Sequence, residues 1–167
     1  MTYEIVIPVI VSFAISALLG PIVIPFLRRL KVGQTERKEL ESHLKKNGTP
    51  TMGGLMILAS IIITSVFYVK DYPKIVPILF MTVGFGVIGF LDDFIKVIRH
   101  RNPGLTALQK IVLQVAVTVG FMIGLHSLGL LSTVVMFPVV GAVDLGLFYY
   151  PIAFFGIIFL VNAVNLT

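Results

Sequence analysis

Residues 75–97 read IVPILFMTVGFGVIGFLDDFIKV, an apolar run that closes on an acidic pair and a lysine. A helix of this length can cross the hydrocarbon core of a bilayer, which is roughly 30 Å thick. On insertion scales a charged side chain costs roughly 2.5–3.5 kcal/mol at mid-bilayer and less near the interface, so Asp92 and Asp93 need a partner. The acidic pair therefore indicates a functional site at one end of a membrane helix.

The rest of the chain has the composition of a membrane protein. It is 57% hydrophobic with a mean hydropathy of +1.01, well above a soluble domain. Apolar stretches near the length of a span predict an all-α polytopic membrane protein, a single membrane domain with about five transmembrane helices. The predicted spans are 5–27, 53–69, 75–97, 108–127 and 148–166. The absence of cysteine excludes a disulfide framework, a Cys-ligated metal and thiol chemistry.

Basic residues are concentrated in two of the segments that connect these spans. The positive-inside rule then predicts that loops 28–52 and 98–107 are cytoplasmic and that the N-terminus is outside. The net charge of +5 is mostly a topology signal, so we expect no nucleic-acid partner. The residues in these loops and at their edges are Arg28, Arg29, Lys31, Arg37, Lys38, Lys45, Lys46, Lys96, Arg99, Arg101 and Lys110, against Lys70 and Lys74 on the opposite side.

Residues 128–147 fit no span. They contain β-branched residues interrupted by the turn formers Pro138 and Gly141. This pattern predicts an external β-hairpin between spans four and five, with a re-entrant loop as the alternative.

Polar residues gather at one predicted membrane interface, the cytoplasmic one. The candidates are Asp92, Asp93, Lys96, Lys110, Gln114, Asn162, Asn165, and the loop with His43, Lys46 and Thr51. Helical spacing allows Lys96 to approach either carboxylate. Each set also has a simpler interpretation: a helix-end ion pair, a snorkelling lysine with a packing amide, and asparagines that hydrogen-bond between helices.

The turn from Gly48 to Gly54 has two interpretations. Its backbone N–H groups, with threonine hydroxyls at the N-cap of span two, suit a phosphate oxygen. An ordinary capped loop, whose glycines permit close helix packing, explains the same residues.

Taken together, five strings resemble the phospho-N-acetylmuramoyl-pentapeptide transferase family. They occur in the family's order from residue 34 to the end of the chain. The strings are Gln34-x-x-Arg37, Ser42-His43-x-x-Lys46-x-Gly48-Thr49-Pro50-Thr51-Met52-Gly53-Gly54, Gly89-Phe90-x-Asp92-Asp93-x-x-Lys96, Asn102-x-Gly104-Leu105-Thr106-x-x-Gln109-Lys110 and Val161-Asn162-Ala163-Val164-Asn165-Leu166-Thr167.

The resemblance implies the N-terminal half of a ten-helix fold. Residues 38–41 read Lys-Glu-Leu-Glu, where the family usually has a Gly-Pro before Ser42 and His43. The family's Asp-Gly-Leu-Asp-Gly motif, its later metal-binding Asp and its His-rich loop are not in this sequence. We therefore expect the chain to be truncated and inactive by itself, with the principal metal ligand beyond Thr167.

The resemblance also implies a reaction. Phospho-N-acetylmuramoyl-pentapeptide moves from its UDP carrier to undecaprenyl phosphate, with release of UMP and with Mg²⁺ as cofactor, at the cytoplasmic face of the bacterial cytoplasmic membrane. Asp92 and Asp93 are the expected catalytic residues and tentative metal ligands, and an attack by a carboxylate that forms an aspartyl phosphate is the rival mechanism. The expected substrate-binding residues are His43, Lys46, Thr51, Lys96, Lys110, Asn162 and Asn165.

Other functions stay open at this point. A related transferase of N-acetylglucosamine phosphate acts on the same lipid, and the chain could instead be an inactive structural half or part of a transporter. A transporter commonly carries a charged residue near mid-membrane, whereas these spans carry their charges at their ends. The partners that the resemblance implies are the two substrates, the lipid bilayer and a second copy of the chain in a homodimer.

Overall fold

A computed structural model of the protein describes residues 3–30, 52–99 and 104–166, with side chains up to Arg29 in the first range and Val164 in the last. The chain is mostly helical with one small antiparallel hairpin, which confirms the predicted class in these ranges. The elements are α1 (Tyr3–Leu30), α2 (Gly54–Tyr68), α3 (Ile75–Arg99), α4 (Ala107–Ser127), β1 (Val134–Phe137), β2 (Gly141–Asp144), a 3₁₀ turn (Gly146–Phe148) and α5 (Tyr149–Leu166).

Four helical segments of the described chain are long and apolar enough to cross a membrane. They are Tyr3–Arg29, Ile75–Arg99, Ala107–Ser127 and Gly146–Val164. The fifth apolar helix, α2, has 15 residues. At 1.5 Å per residue it is about 22 Å long, shorter than the hydrocarbon core. The count of five spans therefore stays a prediction, while a multi-pass membrane protein is supported.

Helix α1 ends three residues later than the predicted boundary at residue 27, at Leu30. Its last turn contains Arg28 and Arg29. Cations are favourable at a helix C-terminus because they oppose the negative end of the helix dipole. The basic residues assigned to the loop therefore extend the helix as well.

Burial in the described chain is the reverse of that in a soluble protein. The buried hydrophobic residues are Leu27 and Ile88, and the buried polar residues are Ser60, Thr64, Asp92, Gln114 and Thr118. Most large apolar side chains are exposed, as with Phe13 at 74% and Phe159 at 78%. Small and polar contacts between helices under an apolar exterior are typical of membrane helix packing, since lipid leaves no hydrophobic drive between helices.

The chain divides into two compact units, Met1–Thr106 and Ala107–Thr167. In the first unit α1 packs on α2, and α2 packs on α3. Gly86 lets α3 approach α2 closely, because a Cβ at this position would lie 2.7 Å from Leu58 Cδ2 of α2. The hydroxyls of Ser12 and Ser60 lie 3.4 Å apart across the α1–α2 contact. This unit is therefore assembled through small side chains.

The second unit contains α4, the hairpin and α5. The strands pair from Val134 with Asp144 to Phe137 with Gly141. Gly141 has a φ of 82°, which suits the left-handed position that commonly follows a short hairpin turn. Hydrogen bonds from the Thr133 hydroxyl and then from the Gly146 N–H lower the pKa of Asp144. The hairpin predicted within residues 128–147 is therefore present, and its external location stays a prediction.

Candidate functional site

The acidic pair of α3 is held by one lysine. Lys96 Nζ lies 2.7 Å from Asp92 Oδ2 and 3.1 Å from Asp93 Oδ1, at spacings of four and three residues along the helix. The side chain of Asp92 is 12% exposed, and that of Asp93 is 33% exposed. This geometry agrees with the prediction that Lys96 approaches both carboxylates. The Lys96 contact orients the more buried carboxylate, that of Asp92.

A second group reaches Asp92 from the segment after α3. The backbone N–H of Leu105 donates a 2.8 Å hydrogen bond to Asp92 Oδ1. Since Lys96 contacts Oδ2, both oxygens of this carboxylate have a positively polarised partner. Asp92 is therefore oriented from two sides, whereas Asp93 shares the Lys96 ammonium with it.

The carboxylate oxygens of this cluster are suitable ligands for a hard cation, but they are too few to complete its coordination. Two carboxylates and one ammonium leave a formal charge of about −1, and Mg²⁺ commonly binds one or two carboxylates together with substrate phosphates. Within the described ranges, no group of three or more His, Cys, Asp or Glu side chains could hold a metal ion. Asp92 and Asp93 thus fit a Mg²⁺ that takes its other ligands from phosphate oxygens or elsewhere, and they do not form a complete protein cage.

In the second unit, Asn162 of α5 is paired with Gln114 of α4. Asn162 Nδ2 donates to Gln114 Oε1 at 2.8 Å and to the backbone oxygen of Ile158 at 2.8 Å, while Gln114 Nε2 lies 3.4 Å from Asn162 Oδ1. Gln114 is buried, at 4% exposed. Both amide hydrogens of Asn162 are therefore in use between and within helices, which agrees with the simpler interpretation of this residue. Its role in substrate binding stays a prediction.

The other predicted site residues are only partly described. Lys110 lies half-buried in the first turn of α4, and Asn165 lies in the last turn of α5. His43, Lys46 and Thr51 lie outside the described residues, as does most of the proposed phosphate-binding turn.

The predicted threonine cap of span two is wrong. The N-cap position of α2 is Gly53, which has no side chain to bond the first turn. The N-cap position lies two residues beyond Thr51, so the residue that caps α2 is not a threonine.

Two contacts were missed by reasoning on sequence. The sequence strings contain Gly104 and Leu105 without indicating that they contact Asp92, and they do not identify the partner of Asn162. A glycine between a proline and a leucine after a charged helix end was the available signal for the first. The second had none, because helical spacing relates residues within one helix and not between two.

The Gln114–Asn162 pair should contribute measurably to the stability of the second unit. Asn162→Ala and Gln114→Ala should each destabilise the chain, and the double variant should lose less than their sum. The expected coupling is about 0.6 kcal/mol, the mean for polar contacts between membrane helices, and at most about 1.7 kcal/mol. The measurement is a double-mutant cycle of unfolding in mixed detergent micelles.

Ser127→Ala provides the control for this cycle. The Ser127 hydroxyl donates to the backbone oxygen of Ile123, within its own helix. It should show no coupling to Asn162→Ala. Additive losses for Gln114 and Asn162 would remove the pair from the stability of this unit.

Comparison with known proteins places this site in a family context. A family model described as glycosyl transferase family 4 matches residues 75–167, which include the Asp92 cluster and the Gln114–Asn162 pair. A second model, phospho-N-acetylmuramoyl-pentapeptide-transferase signature 1, matches residues 46–58.

Curated relatives agree with these models. The phospho-N-acetylmuramoyl-pentapeptide-transferase of Halalkalibacterium halodurans is 50% identical over 164 residues, which cover 95% of this chain and 50% of the relative. The proteins of the same name from Bacillus subtilis and Caldicellulosiruptor bescii are 44% and 46% identical, and the matches cover 95% and 97% of this chain and 51% of each relative. The chain spans about half the length of the curated relatives it matches.

Proposed function

Because this chain belongs to glycosyl transferase family 4, we propose that it forms the N-terminal half of a phospho-N-acetylmuramoyl-pentapeptide transferase of peptidoglycan synthesis. The observation that carries the proposal is the 50% identity to the Halalkalibacterium halodurans transferase across 95% of the chain. The oriented Asp92 carboxylate supports it, because a positioned base beside bound phosphates accelerates proton transfer from the attacking group.

The proposed reaction joins two phosphates. An oxygen of undecaprenyl phosphate attacks the phosphorus that carries the N-acetylmuramoyl-pentapeptide. A new P–O–P bond forms, the pyrophosphate bond of the UDP carrier breaks, and UMP leaves with the electron pair of that bond. The product is the lipid-linked diphosphate sugar.

In this proposal the Asp92 cluster supplies the acid–base group and part of the metal site. Asp92 accepts the proton of the lipid phosphate, and Lys96 and the Leu105 N–H keep its carboxylate in a fixed orientation. Asp93 shares Lys96 and presents a more exposed carboxylate beside the first. Mg²⁺ held by these two carboxylates would offset the negative charge of the phosphates.

The remaining predicted residues complete the proposal for the substrates. His43, Lys46, Thr51, Lys110 and Asn165, with Asn162 if its pairing opens, contact the UDP-linked substrate or the lipid phosphate. The partners are these two substrates, the bilayer of the bacterial cytoplasmic membrane and a second copy of the chain.

The site faces the cytoplasm in this proposal, because both basic loops lie on its side of the membrane. Accessibility reporters should therefore give a cytoplasmic signal at Thr35 and Arg101 and an external signal at Tyr72 and Ala142. Labelling of single cysteines by a membrane-impermeant reagent in intact cells measures this, and the chain has no native cysteine to interfere. An external signal from Arg101 would contradict the proposed orientation.

The function is tested by product formation. This chain is co-produced with the complementary half of the Halalkalibacterium halodurans transferase and given undecaprenyl phosphate with either UDP-N-acetylmuramoyl-pentapeptide or UDP-N-acetylglucosamine. We expect lipid-linked product and UMP from the first donor. Product from the second donor alone would instead support the related N-acetylglucosamine-phosphate transferase.

A further inference from the structure

The segment after α3 returns to Asp92 and contacts it closely. Leu105 donates its backbone N–H to Asp92 Oδ1, and Gly104 packs against the same residue. A Cβ added at Gly104 would lie 2.5 Å from the backbone oxygen of Asp92 and 2.9 Å from its Cγ, with Oδ1 closer still. No side chain fits between Gly104 and Asp92 without a shift.

The requirement for glycine here is one of space. Gly104 is not among the described glycines with positive φ, which are Gly129, Gly141 and Gly146. An alanine at 104 would therefore suffer no backbone strain of the left-handed kind. It would meet a helix backbone oxygen, which is held in place by α3, so the 104–105 segment or the carboxylate must move.

We infer that Gly104 and the Leu105 N–H are positioning elements for the carboxylate of Asp92. Lys96 contacts one oxygen, the Leu105 N–H contacts the other, and the bare Cα of Gly104 allows that N–H to come within 2.8 Å. The two contacts, one on each oxygen, define the plane of the carboxylate as well as its location, and the second depends on the absence of a side chain at Gly104. This inference rests on the proposed transferase function for its catalytic consequence, but the contact itself does not.

The competing interpretation is a structural end to α3. In that case the 104–105 segment stabilises the helix end, and a change at Gly104 lowers the folded fraction without altering turnover of the folded protein. The two interpretations differ in whether Gly104 acts through Asp92.

The first experiment asks whether the effect of Gly104 on turnover depends on Asp92. It uses this chain combined with the complementary half of the relative, the complemented transferase. Gly104→Ala should lower kcat about 10- to 100-fold, the scale expected for a catalytic group misplaced by about 1 Å, with KM for the UDP-linked substrate unchanged. In an Asp92→Asn background the same change should lower kcat no further, because the positioned carboxylate is already absent. Gly124→Ala, in a helix where an added Cβ meets nothing within 4 Å, should leave both constants unchanged.

The second experiment needs no activity. In detergent micelles, the amide hydrogen of Leu105 in this chain should exchange slowly with solvent, and Gly104→Ala or Asp92→Ala should each accelerate its exchange. Gly124→Ala should not. If Gly104→Ala fails to fold, Asp92→Ala still tests the bond from its other end.

The outcomes separate the two proposals. If the wild-type chain combined with the complementary half forms no product, but Leu105 exchanges as expected, the proposed transferase function is wrong and the contact between Leu105 and Asp92 stands. Leu105 exchange that is unaffected by Asp92→Ala would overturn the inference. Multiplicative losses of kcat for Gly104→Ala and Asp92→Asn would overturn it as well.

Discussion

Asp92→Asn is expected to lower kcat of the complemented transferase by about 10²–10⁴-fold, the usual loss when a general base is removed. Asparagine keeps the size of the side chain and can still accept the Leu105 N–H, so the change removes charge and proton acceptance with little change in shape. Lys96→Met should cost less activity, because Mg²⁺ can still screen the paired carboxylates. Turnover per folded molecule is the quantity to measure, with thermal stability of each variant alongside.

A purely structural ion pair gives the opposite pattern. Lys96→Met would then leave two carboxylates without their cation, and Asp92→Asn would remove the shorter of the two Lys96 ion pairs, so both changes would reduce the folded yield. The surviving molecules would turn over at nearly the normal rate. Near-normal turnover for Asp92→Asn would remove this residue from the mechanism and leave the family membership untouched.

The second large effect concerns sufficiency. Residues 1–167 by themselves should yield no lipid-linked product, and the separately produced complementary half of a relative should restore activity when the two are reconstituted together. The physical reason is that two anionic phosphates must approach each other, which requires cations held in place. The described residues supply two oriented carboxylates for such a cation and no third metal-binding group beside them.

The measurement is radiolabelled product extracted from proteoliposomes that contain the chain alone, the complementary half alone, or both. The Asp92→Asn chain mixed with the same half serves as the control for a contribution of the relative's own residues. Product from the isolated chain would contradict the prediction. It would mean that the metal site is complete within these residues.

Sequence by itself determined the membrane class, the helical segments and the hairpin. These follow from local physics: a spanning helix needs an uninterrupted apolar run, and a turn that begins at Pro138 and is followed by Gly141 connects two β-branched stretches. It also determined the Lys96 contacts with Asp92 and Asp93, because residues three and four apart lie together on any helix. The family resemblance likewise rested on short strings that can be read directly.

Only the tertiary structure decided which groups meet across separate segments. The Leu105 N–H on Asp92, the close approach of Gly104 and the pairing of Gln114 with Asn162 join residues 12 to 48 positions apart. No periodicity relates such positions, since their contact depends on how the chain returns after a helix ends and on which helix faces pack together. Asn162 illustrates the difference. Its spacing from Asn165 predicted a polar helix face, whereas only helix packing shows that the Gln114 amide lies opposite Asn162.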